Sequence, residues 1–137
     1  MLGDKIGEEK GKTTGMRVLQ GEGGRFVKME ISFQASGNLL GMDSTNIGTY
    51  TAYERIPGQM YGEGTGITMT ATGESAIWNA FGIGAPTGEG MGIRWKVALN
   101  FQAGAGGKLE RLNSIVGIAE YVVDGEGNST ATIHEWK

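Results

Sequence analysis

Between Val27 and Ser36 every second residue is apolar. Val27, Met29, Ile31, Phe33 and Ala35 alternate with Lys28, Glu30, Ser32, Gln34 and Ser36. A period of two places one set on a buried face and the other in water, the pattern of a half-buried strand. Gly90 to Phe101 repeats it. Met91, Ile93, Trp95, Val97, Leu99 and Phe101 are predicted to face a core, with Arg94, Lys96 and Asn100 outside. Weaker alternation marks Lys12–Leu19, Ile47–Arg55, Met60–Thr70, Glu74–Gly84, Ile115–Val123 and Thr130–Trp136. The chain therefore reads as all-β, with about eight strands.

The joints carry turn chemistry. Pro57-Gly58 suits the central pair of a type II turn, and Ala71-Thr72-Gly73 and Asp124-Gly125-Glu126-Gly127-Asn128 read as hairpin loops. Short connections favour antiparallel neighbours, because parallel strands need crossovers of a dozen or more residues. An open sheet of eight strands would expose two long edges, so a closed antiparallel barrel is expected, with a two-sheet sandwich as the alternative. Lys108–Asn113 (KLERLN) has Leu109 and Leu112 at helical spacing and is expected to form at most a helical turn. Residues 1–11, with mixed charges at Glu8, Glu9 and Lys10, read as a flexible leader to a single domain of 137 residues.

Composition sharpens this picture in one respect. Glycine supplies 26 of 137 residues, far above the usual share of about 7%. Gly62, Gly64 and Gly66 alternate along one strand, so one of its faces is bare and lets another group pack on the backbone. Gly-rich runs such as Gly88-Glu89-Gly90-Met91-Gly92 lack the strand-loop-helix context of a phosphate loop.

The remaining composition mostly excludes. There is no cysteine, which removes disulfides, thiolate metal sites and thiol nucleophiles. His134 is the single histidine, so no multi-histidine metal centre is expected, and no metal or cofactor is implied. The 12 basic and 15 acidic residues are interspersed, which argues against nucleic-acid binding. No apolar run approaches the roughly 18 residues of a membrane helix, and the N-terminus lacks the apolar core of a secretory signal. The expected location is the cytoplasm, without membrane association. Asn128-Ser129-Thr130 is then a chance sequon.

Acids placed within strands are the candidates for chemistry. Glu63 shares a strand face with Tyr61, Ile67 and Met69, and Glu120 shares one with Val116, Ile118 and Val122. Turned inward, such a carboxyl would have a raised pKa and serve as an acid, base or ligand anchor; turned outward it is a solvated side chain. The candidate site is Glu63 with Tyr61, with Arg111 and Asn113 as polar partners near one mouth and Trp78, among small neighbours, lining the interior.

The runs YGEGTGITMT (Tyr61–Thr70) and KLERLN, with the ending EYVVDGEGN…EWK, resemble a set of small uncharacterised bacterial proteins. Those are similar to the calycin-like barrels typified by allene oxide cyclase. The resemblance implies an eight-stranded barrel and no established activity, and it carries over no catalytic residue. The expected function is binding of a small apolar ligand inside the barrel. The alternatives are an isomerase or cyclase that uses a strand carboxylate, or an oligomeric scaffold with a filled core. A homo-oligomer, a dimer or trimer, is expected from the flat, glycine-rich strands.

Overall fold

Alternating segments joined by tight turns can bury their apolar faces only against one another, and here they do so by closing a ring. A computed structural model describes residues 1–23 and 27–137. It has eight strands: β1 (Leu2–Gln20), β2 (Val27–Leu39), β3 (Met42–Ile56), β4 (Gln59–Thr70), β5 (Ser75–Pro86), β6 (Ile93–Ala103), β7 (Val116–Val123) and β8 (Asn128–Trp136). Each pairs antiparallel with its neighbours in sequence, and β1 pairs with β8 to close the barrel. No helix among the described residues is long and apolar enough to cross a membrane.

Turn chemistry sets the register as expected. Gly58 supplies the positive φ (78°) that the β3–β4 turn requires, a conformation easy for glycine and costly for other residues. At the β7–β8 hairpin Asp124 Oδ1 accepts from the backbone N–H groups of Glu126 and Asn128, each at 2.9 Å.

The stripes point largely where alternation places them. Ile31, Phe33 and Ala35 of β2 are buried, as are Trp95, Leu99 and Phe101 of β6, while Arg94, Lys96 and Asn100 face out. The exceptions lie where strands outrun the barrel. Val27 is 50% exposed and Met91, in the turn before β6, is 61% exposed.

A 3₁₀ turn, Glu110–Ser114, lies between β6 and β7. It is too short to stand alone, yet Leu109 and Leu112 are fully buried and join Ile6, Leu39, Ala76, Phe101 and Ile115 in the core. This segment plugs one end of the barrel.

The largest departure from the sequence reading is β1. Residues 1–11, expected to be a flexible leader, are strand from Leu2 and are paired on both sides: Glu9 stands between Gly37 of β2 and Ala131 of β8. The charges at Glu8, Lys10 and Lys12 are solvated on the outer wall, while Gly7, Glu9 and Gly11 take the alternate, inward positions.

Candidate functional site

The interior is built from side chains of unequal size. Gly62, Gly64 and Gly66 give β4 an inner face without side chains, and the aromatic rings of β5 and β6 fill the space. A Cβ on Gly66 or Gly48 would fall on the Trp78 ring, and one on Gly62 or Gly84 on the Trp95 ring. Glycine is therefore required at these positions for close approach. Phe33, Tyr50 and Tyr121 complete the cluster. Phe33 lies 6.2 Å from Trp78 and 5.6 Å from Tyr121, and Tyr50 meets Trp95 and Tyr121 edge-on, each at 6.0 Å between centroids. These are favourable aromatic geometries.

Beside the rings lies a cavity of about 100 Å³, lined mainly by apolar groups that include Val97, Leu99, Ala119 and Ile133. Its polar lining includes Asn38, Ser44, Thr68 and one chain of hydrogen bonds. Trp78 Nε1 donates to Asn46 Oδ1 at 2.8 Å, and Asn46 Nδ2 donates to Glu9 Oε1 at 3.0 Å. The indole can only donate, so it fixes which end of the amide faces Glu9. Burial pushes the Glu9 carboxyl up from its ordinary range, and the Asn46 hydrogen bond opposes the shift more weakly.

Two further polar atoms inside the barrel have no hydrogen-bond partner: Trp95 Nε1 and the Tyr121 hydroxyl. Trp95 and Tyr121 face each other across the β6–β7 register. The Tyr121 hydroxyl has those of Tyr50 and Ser129 as neighbours but completes no well-aligned bond with either. Burial raises the pKa of both tyrosines, with the Glu9 charge adding to the rise at Tyr121. Buried polar groups are rarely left unpaired, and a cavity lined by them favours an occupant that bonds to them.

The residues singled out from sequence take different places. Trp78 lines the cavity. Glu63 is exposed on the outer wall, where its carboxylate accepts from the Tyr61 hydroxyl at 3.2 Å. Tyr61 packs with Tyr53 and lies under the Arg55 guanidinium, 5.4 Å from the ring centroid. Glu120 also faces out. Arg111 and Asn113 are held at the plug. Arg111 Nη2 donates to Glu135 Oε2 at 2.6 Å. Asn113 Nδ2 donates to the Ala103 carbonyl at 3.0 Å, and its Oδ1 accepts from the Ala103 N–H at 2.7 Å. The structure thus joins Tyr61 to Glu63 and brings neither Arg111 nor Asn113 to them. The physical reason is parity: the even-numbered residues of β4 face inward, so Glu63 borders the cavity only from an outward-facing position.

Sequence reasoning missed Glu9 and Asn46. The usable signal was Gly7-x-Glu9-x-Gly11 alternating with Glu8, Lys10 and Lys12, a period-two pattern with glycine in place of the apolar residue. Among the described residues no group of three His, Asp or Glu side chains is placed to hold a metal ion.

No family model matches the chain, and no curated protein does. Solved structures do share its fold. A protein of unknown function from Clostridium acetobutylicum superposes with a TM-score of 0.81 at 8% identity, covering 98% of both chains. A conserved protein of unknown function from Rhodopseudomonas palustris gives 0.80 at 14% identity, covering 98% of this chain and 97% of that one. Both are described only as proteins of unknown function, so they support the barrel but not the allene oxide cyclase resemblance. The chain is a small antiparallel β-barrel of eight strands, and these two bacterial proteins share that fold.

Proposed function

We propose that the barrel binds one small, largely apolar molecule in its interior, anchored by Glu9. The observation that carries this reading is the Trp78–Asn46–Glu9 chain, which holds a carboxyl oxygen in place beside an apolar cavity. An acid in such surroundings costs stability and is better explained by a ligand than by packing. The Tyr121 hydroxyl, which completes no hydrogen bond of its own, lies in the same lining. Eight-stranded barrels are just wide enough either to be filled by side chains or to hold one small ligand.

The size of the space restricts the ligand. A dry cavity of about 150 Å³ admits benzene, so about 100 Å³ calls for a molecule of a few heavy atoms. The test is a solution NMR screen of small molecules against isotope-labelled protein. Hits should move the Trp78 and Trp95 indole signals and saturate. Ala80→Leu, which fills the lining, should abolish them while the near-ultraviolet circular dichroism stays native. If no compound moves the interior signals, or if Ala80→Leu leaves the hits unchanged, the reading is wrong.

A further inference from the structure

We infer that the interior site takes a small organic cation: a protonated amine whose ammonium group meets Glu9 and whose alkyl part lies against the aromatic rings. This deepens the interior-binding reading and rests on it.

The first argument is charge balance. Ion pairs among the described residues join Lys5 to Glu8, Arg17 to Glu30, Lys28 to Glu22, Arg111 to Glu135 and Lys137 to Asp4; none reaches Glu9. No lysine or arginine lines the cavity. A carboxylate withdrawn from water without a counter-charge is expensive, and a cationic ligand would supply that charge. An anionic ligand would meet like charge, and a hydrocarbon would leave the acid unpaired.

The second argument is the direction of the hydrogen bonds. Trp78 donates to Asn46, and Asn46 then donates to Glu9. Both dipoles present their positive ends toward the acid, which uses Oε1 as an acceptor. Oε2 makes no hydrogen bond within the described residues and calls for a donor. An ammonium group has three N–H donors, and the unpartnered Tyr121 hydroxyl can accept another of them.

The third argument is the lining. Faces of Trp and Tyr attract cations through their ring quadrupoles, best when the cation is desolvated. Phe33, Tyr50, Trp78, Trp95 and Tyr121 all line this one space.

The groups facing Glu9 allow the pH dependence to be stated. β3 presents Asn46 and Tyr50, β7 presents Tyr121, β8 presents Ala131 and Ser129, and β2 presents Gly37. The tyrosines are neutral through the working range, so Glu9 is the group that titrates. A cation favours its ionised form, so binding should release a proton and tighten as pH rises through the Glu9 titration.

The experiment titrates the protein with ethylammonium, ethanol and acetate as size-matched probes, followed by NMR. The Trp78 and Trp95 indole signals report on the interior, and Trp136, 60% exposed, is the control. Ethylammonium should shift the two interior indoles, at least tenfold more tightly than ethanol, with no effect from acetate. Glu9→Gln should weaken ethylammonium at least tenfold and ethanol by far less, because the amide keeps an acceptor oxygen but loses the charge. Calorimetry of the unaltered protein in buffers of different ionisation enthalpy, at several pH values from the ordinary carboxylate range upward, gives an independent measure, with proton release expected where Glu9 titrates. Ethanol binding as tightly as ethylammonium, acetate binding, or no proton release would overturn the cation assignment while leaving the interior-binding reading in place. Failure of every small probe, charged or neutral, to move the interior indoles would overturn both.

Discussion

β4 and β6 lie two places apart in the same ring and use their inner faces in opposite ways. On β4, Gly62, Gly64 and Gly66 leave that face bare up to the buried Thr68 and Thr70, and Glu63, Ile67 and Met69 are on the outer wall. On β6, Trp95, Val97, Leu99 and Phe101 fill the inner face, and Arg94, Lys96 and Asn100 stand outside. The difference teaches how so narrow a ring accommodates large rings. One strand supplies the volume and its near neighbours supply the clearance, so glycine here is a packing residue as much as a conformational one.

The contrast can be broken most severely from the β6 side. Trp95→Ala should destabilise the barrel by about 3–5 kcal/mol, because it removes a buried ring from a wall that cannot collapse to replace it. Equilibrium unfolding in denaturant measures this. From the β4 side, Gly66→Ala should cost about 1–3 kcal/mol, since the new methyl meets both the Trp78 ring and the Ile47 carbonyl. Gly66→Ala combined with Trp78→Phe should recover part of that loss if the clash is with the indole. Recovery of none would mean that the Ile47 carbonyl sets the limit.

The next effect is one of pH. Glu9 has a raised pKa in the folded barrel, so the folded state holds its proton more tightly than the unfolded chain does. Stability from this group is therefore present in acid and declines as pH rises from the ordinary carboxylate range to the raised value. Glu9→Gln should remove that slope and raise the unfolding midpoint at neutral pH. Asp124 at the β7–β8 turn has the opposite sign: its lowered pKa makes its contribution fade as pH falls. Chemical denaturation across pH, with Asp124→Asn as the second variant, separates the two. The smallest effect belongs to the outer wall. Glu63→Gln should change stability by under about 0.5 kcal/mol, as exposed substitutions usually do, and should leave any interior ligand's affinity unchanged.

That ordering also explains what could be read from the sequence. Strands β2 and β6 were legible because each carries a full apolar stripe, and Pro57-Gly58 marked its turn by composition alone. The first half of β1 was not legible, because beyond the buried Ile6 a register shift intervenes and the inward residues are Gly7, Glu9 and Gly11. No hydrophobic period exists there to detect, and the adjacent charges look like a solvated tail. Glu63 misled for a related reason. With glycines on one side and Ile67 and Met69 on the other, the apolar face of β4 is the outer one, and Ile67 and Met69 are 36% and 39% exposed. The inward face could be assigned only once Trp78 and Trp95 were seen resting on the glycines.

The closing pair, β1 with β8, has a kinetic consequence. Every other pairing joins strands adjacent in sequence, so it can form locally and early. The seam must bring Glu9 to Ala131 across almost the whole chain, which makes it the contact with the greatest closure entropy. An open sheet can assemble first, with Glu9 still hydrated, and the acid loses its water only when the seam zips shut. Substitutions at Glu9 should therefore act on the rate at which the barrel opens and hardly on the rate at which it folds. In stopped-flow experiments, Glu9→Gln should slow unfolding and leave the refolding limb where it was.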